Sequence, residues 1–356
     1  MRVRIQHADH GGCGHYRLIW PAQTLAAMGL DVTLHNDWPR AQYRPTASDT
    51  IPDQIVTVEC DADVVVLQRP MEDSVVQSIP VLQRQGVAVV VELDDDFSSL
   101  PHGHPAKRAT ASVDRAGHRR PLNRRNLRLA CEQADLVTCS TPAIADRYAA
   151  HGRVAILPNC IPARYLHIAA EPHDGVRVGW TGSVDTHVGD LQTAGDGIAR
   201  ALNGATFHVV GTGKGVAVAL GLPDGQVQGC GWLPIDDYPA AYASLDVAVV
   251  PLADNPFNQA KSWLKGIEAA ALGVPFVASP TVPYLDLAEK GAGLIAYEPF
   301  DWERYLVMLT NDPHWRQEIA GRGREAAKAW TVEGNAWRWA EAWERASMIR
   351  REKAAA

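Results

Sequence analysis

Short runs rich in valine and isoleucine alternate with longer helix-like segments twice along this chain, and that rhythm restricts the fold more than any other feature. In the first half the runs are VRIQH (3–7), VTLH (32–35), VVVLQ (64–68), VAVVVE (87–92), LVTCS (136–140) and VAILP (154–158). Their length and β-branched content suit buried parallel strands. Segments such as IWPAQTLAAMG and RRNLRLACEQA supply the crossover helices of βαβ units. After a linker-like stretch at 162–174 a second series begins: VRVGW (176–180), TFHVVG (206–211), VQGCG (227–231), DVAVVP (246–251), PFVAS (275–279) and GLIAY (293–297). The sequence predicts an α/β protein with domains at 1–168 and 169–335, and a terminal helix at 336–356 that crosses back to the first. A length of 356 residues allows two cores. Two such domains facing one another form a cleft, and open parallel sheets hold ligands beyond the carboxyl ends of their strands.

Composition excludes several classes. Hydrophobic residues make up 46% and charged residues 21%, as in a soluble globular protein, and the formal net charge is -7. That charge argues against a general polyanion binder, so no sequence-specific nucleic acid is expected. No apolar run is long enough to span a bilayer, and MRVRIQHADHGG turns glycine-rich too early for a secretory leader. A soluble, cytoplasmic protein is the expectation. The six cysteines are scattered without a CxxC pair, which predicts free thiols. Cys13 stands apart because it lies in a glycine-rich loop, yet a cysteine without a base is no nucleophile.

The stretch from Ser98 to Arg125 is basic and rich in Pro, Gly and His. It reads either as a surface insertion or as a loop covering a substrate. Its basic part, Lys107 to Arg125, is compatible with a peripheral membrane or protein contact. The tryptophans at 330, 337, 339 and 343 follow helical spacing in part and predict packing.

The loops after the strands carry the candidate chemistry. After the first strand comes ADHGGCGHYRLIWPAQTL, where Gly11, Gly12 and Gly14 allow a tight turn. His15, Tyr16 and Arg17 fall at a helix start whose amides suit an anion, with Arg17 as an aid. GGCG is not a dinucleotide fingerprint. VVVELDDDFSSL places Glu92, Asp94, Asp95 and Asp96 at a strand end, where they suit a solvated turn, sugar hydroxyls or a divalent cation. His102 and His104 follow in HGH spacing. In the second half, VGWTGSVDTHVGD offers Gly182, Ser183 and His187, and HVVGTGKG offers Gly211 and Lys214. GTGKG lacks the spacing of an ATPase phosphate loop. Successive glycine turns of this kind point to a nucleotide.

NQAKSWLKGIEAAALGVPFVAS (258–279) predicts a helix from about Lys261 to Leu272. Trp263, Ile267, Ala270 and Ala271 share one broad face, and Lys261, Lys265 and Glu268 recur on another. A solvated Lys–Glu pair is the plain reading. The alternative follows from position: the helix starts beyond a strand end, so Lys261 and Ser262 in its first turn suit a phosphate, and Glu268 suits a ribose.

KSWLKGIEAAALGVPFVAS resembles the nucleotide-sugar signature of GT-B glycosyltransferases, especially the GT4-like group 1 family. HGGCGHYRLIWPAQTL looks like their first glycine loop, ADLVTCSTPAIADRY with VAILPNCIP like the end of their N-terminal domain, and VGWTGS like the start of the C-terminal one. The resemblance implies two Rossmann-like domains across a cleft, a nucleoside diphosphate sugar donor and retention of anomeric configuration. No cofactor is essential, although a divalent cation can assist. Glu268 matches the second glutamate of the EX7E pattern, whereas Ala260 stands at the first, with Asn258 or Gln259 as neutral substitutes. Lys261, Lys265, Lys214 and His187 would replace the usual diphosphate-binding pair, Lys261 and Lys265 stabilising the leaving group. Gly12, Gly14, His15, Tyr16, Asp94, Asp95, Asp96 and His102 would meet the acceptor, be it glycan, lipid, small molecule or protein, a phage structural protein included. A non-catalytic nucleotide-sugar or glycan binder and a GT-B-shaped epimerase are the alternatives.

Overall fold

The structure, a computed structural model, describes residues 1–36, 40–44, 54–109, 112–113, 119–120 and 122–355. Its strands are β1 (Arg2–Gln6), β2 (Asp31–His35), β3 (Ala41–Arg44), β4 (Gln54–Val58), β5 (Val64–Gln68), β6 (Ala88–Leu93), β7 (Ser112–Val113), β8 (Arg119–Arg120), β9 (Leu136–Cys139) and β10 (Val154–Ile156). The second series is β11 (Val178–Gly182), β12 (Phe207–Gly211), β13 (Val227–Gly229), β14 (Val247–Val250), β15 (Phe276–Ala278) and β16 (Leu294–Ile295). Two parallel six-stranded sheets result, ordered β10-β9-β6-β5-β1-β2 and β13-β12-β11-β14-β15-β16. All twelve expected runs are strands. What the apolar pattern does not announce is the antiparallel pair β3–β4, where AQYR is mostly exposed.

The chain divides into two compact units. One comprises 1–99, 106–158 and 335–356; the other comprises 100–105 and 159–334. The 168/169 boundary read from sequence therefore lies inside the second unit.

In the first unit, β5 and β6 are buried at every position, as continuous apolar strands covered on both faces must be. Arg17 and Glu92 lie within this core at 2.7 Å, and Arg17 also donates to the Leu157 carbonyl. The helix Trp337–Ala355 packs on β6 and β9 through Trp339 and Trp343, and the Trp339 indole donates to the Arg17 carbonyl at 2.7 Å. Lys353 reaches the buried Asp135 at 3.1 Å. These tryptophans are packing residues.

In the second unit, Trp180, Phe207, Val249 and Trp302 belong to the core. The segment at 159–163 runs beside 330–333, with the Ile161 amide donating to the Trp330 carbonyl and the Val332 amide donating to the Ile161 carbonyl. Both pieces are fastened to the stretch before the next helix. Trp263 donates to the Asn159 carbonyl at 3.0 Å and meets Trp330 edge to face, and Asn159 donates to Ser262 Oγ at 2.7 Å.

Candidate functional site

Three strand ends of the second sheet, at β11, β12 and β14, precede the glycine turns and charged groups singled out in the sequence. Gly182 and Gly211 are register partners on β11 and β12, both in the positive-φ region. A Cβ on Gly211 would lie 2.2 Å from the Gly182 carbonyl, and one on Gly182 would lie 3.2 Å from Lys265 Nζ. Glycine is required here because two loops and a lysine head converge on one point.

The expected helix starts later than its apolar pattern suggests. Pro256–Gln259 forms a short helix capped by the Asn255 side chain, Ala260 closes it, and a new helix runs from Leu264 to Leu272. Lys261 and Ser262 thus precede the second helix rather than occupying its first turn. Nor does this helix keep a solvated charged side: every residue from Gly266 to Leu272 is buried, Glu268 included. Glu268 accepts a hydrogen bond from Tyr238 at 3.1 Å. Lys261 lies 4.4 Å from the centre of the Phe257 ring.

Lys265, partly exposed, is the centre of a polar network. Its ammonium donates to the Thr181 carbonyl at 2.6 Å and to His187 Nε2 at 2.9 Å, and sits 5.2 Å from the Trp180 ring centre. His187 Nδ1 lies 2.8 Å from Asp190 Oδ2. Asp190 Oδ1 accepts from Asn258 at 2.6 Å and from the Ala253 amide at 2.9 Å. Burial and the nearby Lys261 push Lys265 down to about 7. Burial and the neighbouring Lys265 push His187 down to about 3, so its ring is neutral. Burial alone would raise Asp190, but the His187 bond and the amide donors hold it below the usual carboxylate range.

The remaining donor-side residues divide. Ser183 caps the turn through its carbonyl, which accepts from Thr186 and His187. Lys214 is exposed beside the Gly211 loop. The Asn258 amide donates within the fold, to Asp190 and to the Ala253 carbonyl, and Gln259 donates to Asp254. Neither amide nitrogen stands in for a first-glutamate carboxylate, and Ala260 is buried. Ser262 is occupied by Asn159. Thr181 belongs to the small-residue turn that the sequence marks as open to phosphate or sugar, whereas Asp190 and Tyr238 went unnoticed. Asp190 had a signal, an acid three residues after a histidine in a glycine-rich turn; Tyr238 had none.

The first unit gathers a second set at the ends of β1, β5 and β6. Asp9 Oδ1 accepts from the amides of Gly11 and Gly14, and its other oxygen pairs with Arg69. A Cβ on Gly14 would overlap the Asp9 carbonyl at 1.9 Å. Gly12 begins the short helix, and His15 opens a π-helical turn, His15–Ile19, with its ring on the Gly11 carbonyl. Tyr16 is buried against Trp20. Arg69 has a left-handed backbone (φ 52°) and lies 3.6 Å from Asp94. Burial opposes the Arg69 charge, but Asp94 and Asp9 raise its pKa. Asp95 lies beside Asp94 and is partly buried.

Two expectations for this set are corrected, for Arg17 and Asp96, and a third residue, His102, falls in the other unit. Arg17 does not face an anion; it is spent on Glu92, whose carboxyl is raised by burial despite that partner. Asp96 is an internal anchor, with its carboxylate on Ser98, Tyr148 and Arg147. His102 is exposed, and its segment, 100–105, belongs with the second unit, where His104 packs on Phe257. The Cys13 thiol is raised by burial and by Asp94 and stays protonated. Among the described residues no group of three or more His, Cys, Asp or Glu side chains is placed to hold a metal, and no helix is long and apolar enough to cross a membrane. Within the basic stretch 107–125, residues 110–111, 114–118 and 121 lie outside the described residues.

Residues 175–330 match the family model for glycosyl transferases group 1. No curated protein matches by sequence. Among solved structures, a sucrose-phosphate synthase from Thermosynechococcus elongatus is 18% identical, with a TM-score of 0.63 and complete coverage of both chains. HepE from Anabaena, solved with UDP, is 14% identical over 96% of this chain and 99% of its own, at a TM-score of 0.63. A glycosyltransferase from Rickettsia africae is 9% identical over 97% of each chain, at 0.64. At such identities the likeness is one of fold, and that fold is GT-B.

Proposed function

We propose that the protein is a glycosyltransferase that moves a sugar, a hexose in our reading, from a nucleoside diphosphate sugar to an acceptor with retention of configuration. The observation that carries this is the position of Lys265. Its ammonium is held against the glycine turn of β11, one helical step before the buried Glu268. A diphosphate at the strand end would meet Lys265, Lys261 and the amides of Gly182 and Ser183, with Lys214 at the margin. Charge developing on the departing diphosphate would be met by cations already in place. Glu268, oriented by Tyr238, would take the ribose hydroxyls. HepE was solved with UDP and with UDP-glucose, which supports a uridine donor.

Ala260 cannot hold a donor sugar as an acid would, so sugar recognition rests on other groups. The acceptor would meet the first unit through Gly12, Gly14, His15, Asp94 and Asp95. A divalent cation is not required by this arrangement of cations. A thermal-shift panel of UDP- and GDP-sugars, followed by mass spectrometry of the best donor with cell extract, tests the proposal. A sugar adduct on an acceptor supports it. Binding without a product under any acceptor favours a non-catalytic binder, and isomerisation without an acceptor favours an epimerase.

A further inference from the structure

Lys265 has three N–H bonds and two protein acceptors, the Thr181 carbonyl and His187 Nε2. Nε2 can accept only if the ring proton is on Nδ1. The proton is kept there by Asp190 Oδ2, 2.8 Å away and unable to donate while ionised. Asp190 is fixed in turn through Oδ1 by Asn258 and Ala253. The chain Asp190–His187–Lys265 therefore has one self-consistent proton arrangement, and it leaves a single ammonium N–H without a protein acceptor among the described residues.

We propose that Asp190 is a positioning residue: by fixing the His187 tautomer it keeps Lys265 protonated and aims its remaining N–H at a phosphate oxygen. The proposal rests on the donor-site reading above and adds a regulation to it, namely that diphosphate affinity is set by the protonation of one lysine.

The groups facing that ammonium are His187 and Asp190 from the turn after β11, Lys261 from the preceding segment and Glu268 from its own helix. Tyr238 and Tyr242 come from the helix Tyr238–Ala243, and Tyr242 donates to the Lys265 carbonyl rather than to its head. Lys261 repels the charge, whereas Asp190 and Glu268 favour it. Replacing Asp190 by asparagine removes an acid and presents an amide N–H to His187. The ring then turns its proton to Nε2, where it meets the ammonium donor to donor. Loss of the Lys265 proton relieves that conflict with the contact kept.

The experiment is calorimetric titration of UDP into the full chain between about pH 7 and 9, where the ligand phosphate is already ionised. In the wild type, affinity falls as pH rises, because binding above the free lysine's pKa must recruit a proton. For D190N the midpoint lies about one unit lower, so affinity between about pH 8 and 9, where both forms must recruit a proton, is about tenfold weaker than in the wild type. D190N/H187Q recovers much of the loss, because the Gln carbonyl accepts from Lys265 whatever occupies position 190, and only the direct attraction of the Asp190 charge stays missing. A purely structural loss at Asp190 would not be restored by a change at His187. If D190N does not fold, H187F removes the acceptor while leaving Asp190 its bonds to Asn258 and Ala253, and the same downward shift is expected. An unshifted profile in D190N or H187F, or a double variant as weak as D190N, overturns the relay alone. A wild type that binds neither UDP, GDP nor pyrophosphate overturns the donor reading and the relay with it.

Discussion

Glu268 carries the most direct residue-scale prediction. Its carboxylate is buried and oriented by Tyr238. Glu268→Ala should weaken UDP by about tenfold or more while the protein stays folded, and calorimetry showing wild-type affinity would remove Glu268 from the ribose. Arg17 makes the opposite kind of claim. Removing one partner of a buried ion pair leaves an uncompensated charge, at roughly 3–5 kcal/mol. Arg17→Met should therefore lower the urea midpoint sharply, and Arg17→Met with Glu92→Met should regain much of the loss. Two single-variant effects that simply add would show that the pair is not coupled. Neither partnership was legible: Arg17 and Glu92 are 75 positions apart, and an arginine beside a glycine loop looks like an anion ligand until its burial is known. Lys265 and Glu268 were legible because their spacing broke an otherwise apolar helix.

At the scale of elements, the turn after β11 and the helix Leu264–Leu272 act together. Lys265 is depressed in the folded state, so it costs stability at neutral pH, and the cost disappears as pH rises from about 7 toward the unfolded lysine value. Lys265→Met should raise the melting temperature near pH 7 by a few degrees (about 1 kcal/mol or more), with less gain near pH 10. An equal gain at both pH values would place the effect in packing instead. Gly182→Ala should lose both stability and UDP binding, because position 182 has φ 141° and a Cβ there would crowd Lys265 and His187. The strands were readable from valine runs because both sheets are covered on two faces. The break between Gln259 and Leu264 was not: Trp263 and Ile267 keep helical spacing across it, and only the anchoring of Ser262 and Trp263 to Asn159 shows why the helix starts late.

At the scale of the whole molecule, the doubled βαβ rhythm sufficed for two parallel-sheet α/β domains, since each series can bury its strands only as a parallel sheet, whereas the GT-B class came from the resemblance carried by KSWLKGIEAAALGVPFVAS. The assignment of individual segments did not follow from it. Residues 100–105 sit in the first half of the sequence and pack with the second unit, a placement that rests on contacts such as His104 with Phe257. Removing 335–356 should expose β6 and β9 and strip Asp135 of Lys353 and Arg350. Hydrogen exchange should then rise across the first sheet while the second stays protected; uniform exchange in both would show the two units melt as one. The same helix sets an order of events during synthesis. The last piece of the first unit leaves the ribosome only after all of 159–334, so the earlier sheet must wait with its β6–β9 face uncovered while the later one is already complete in sequence. A chaperone that shields apolar strands would find its longest-lived target in the half of the protein made first.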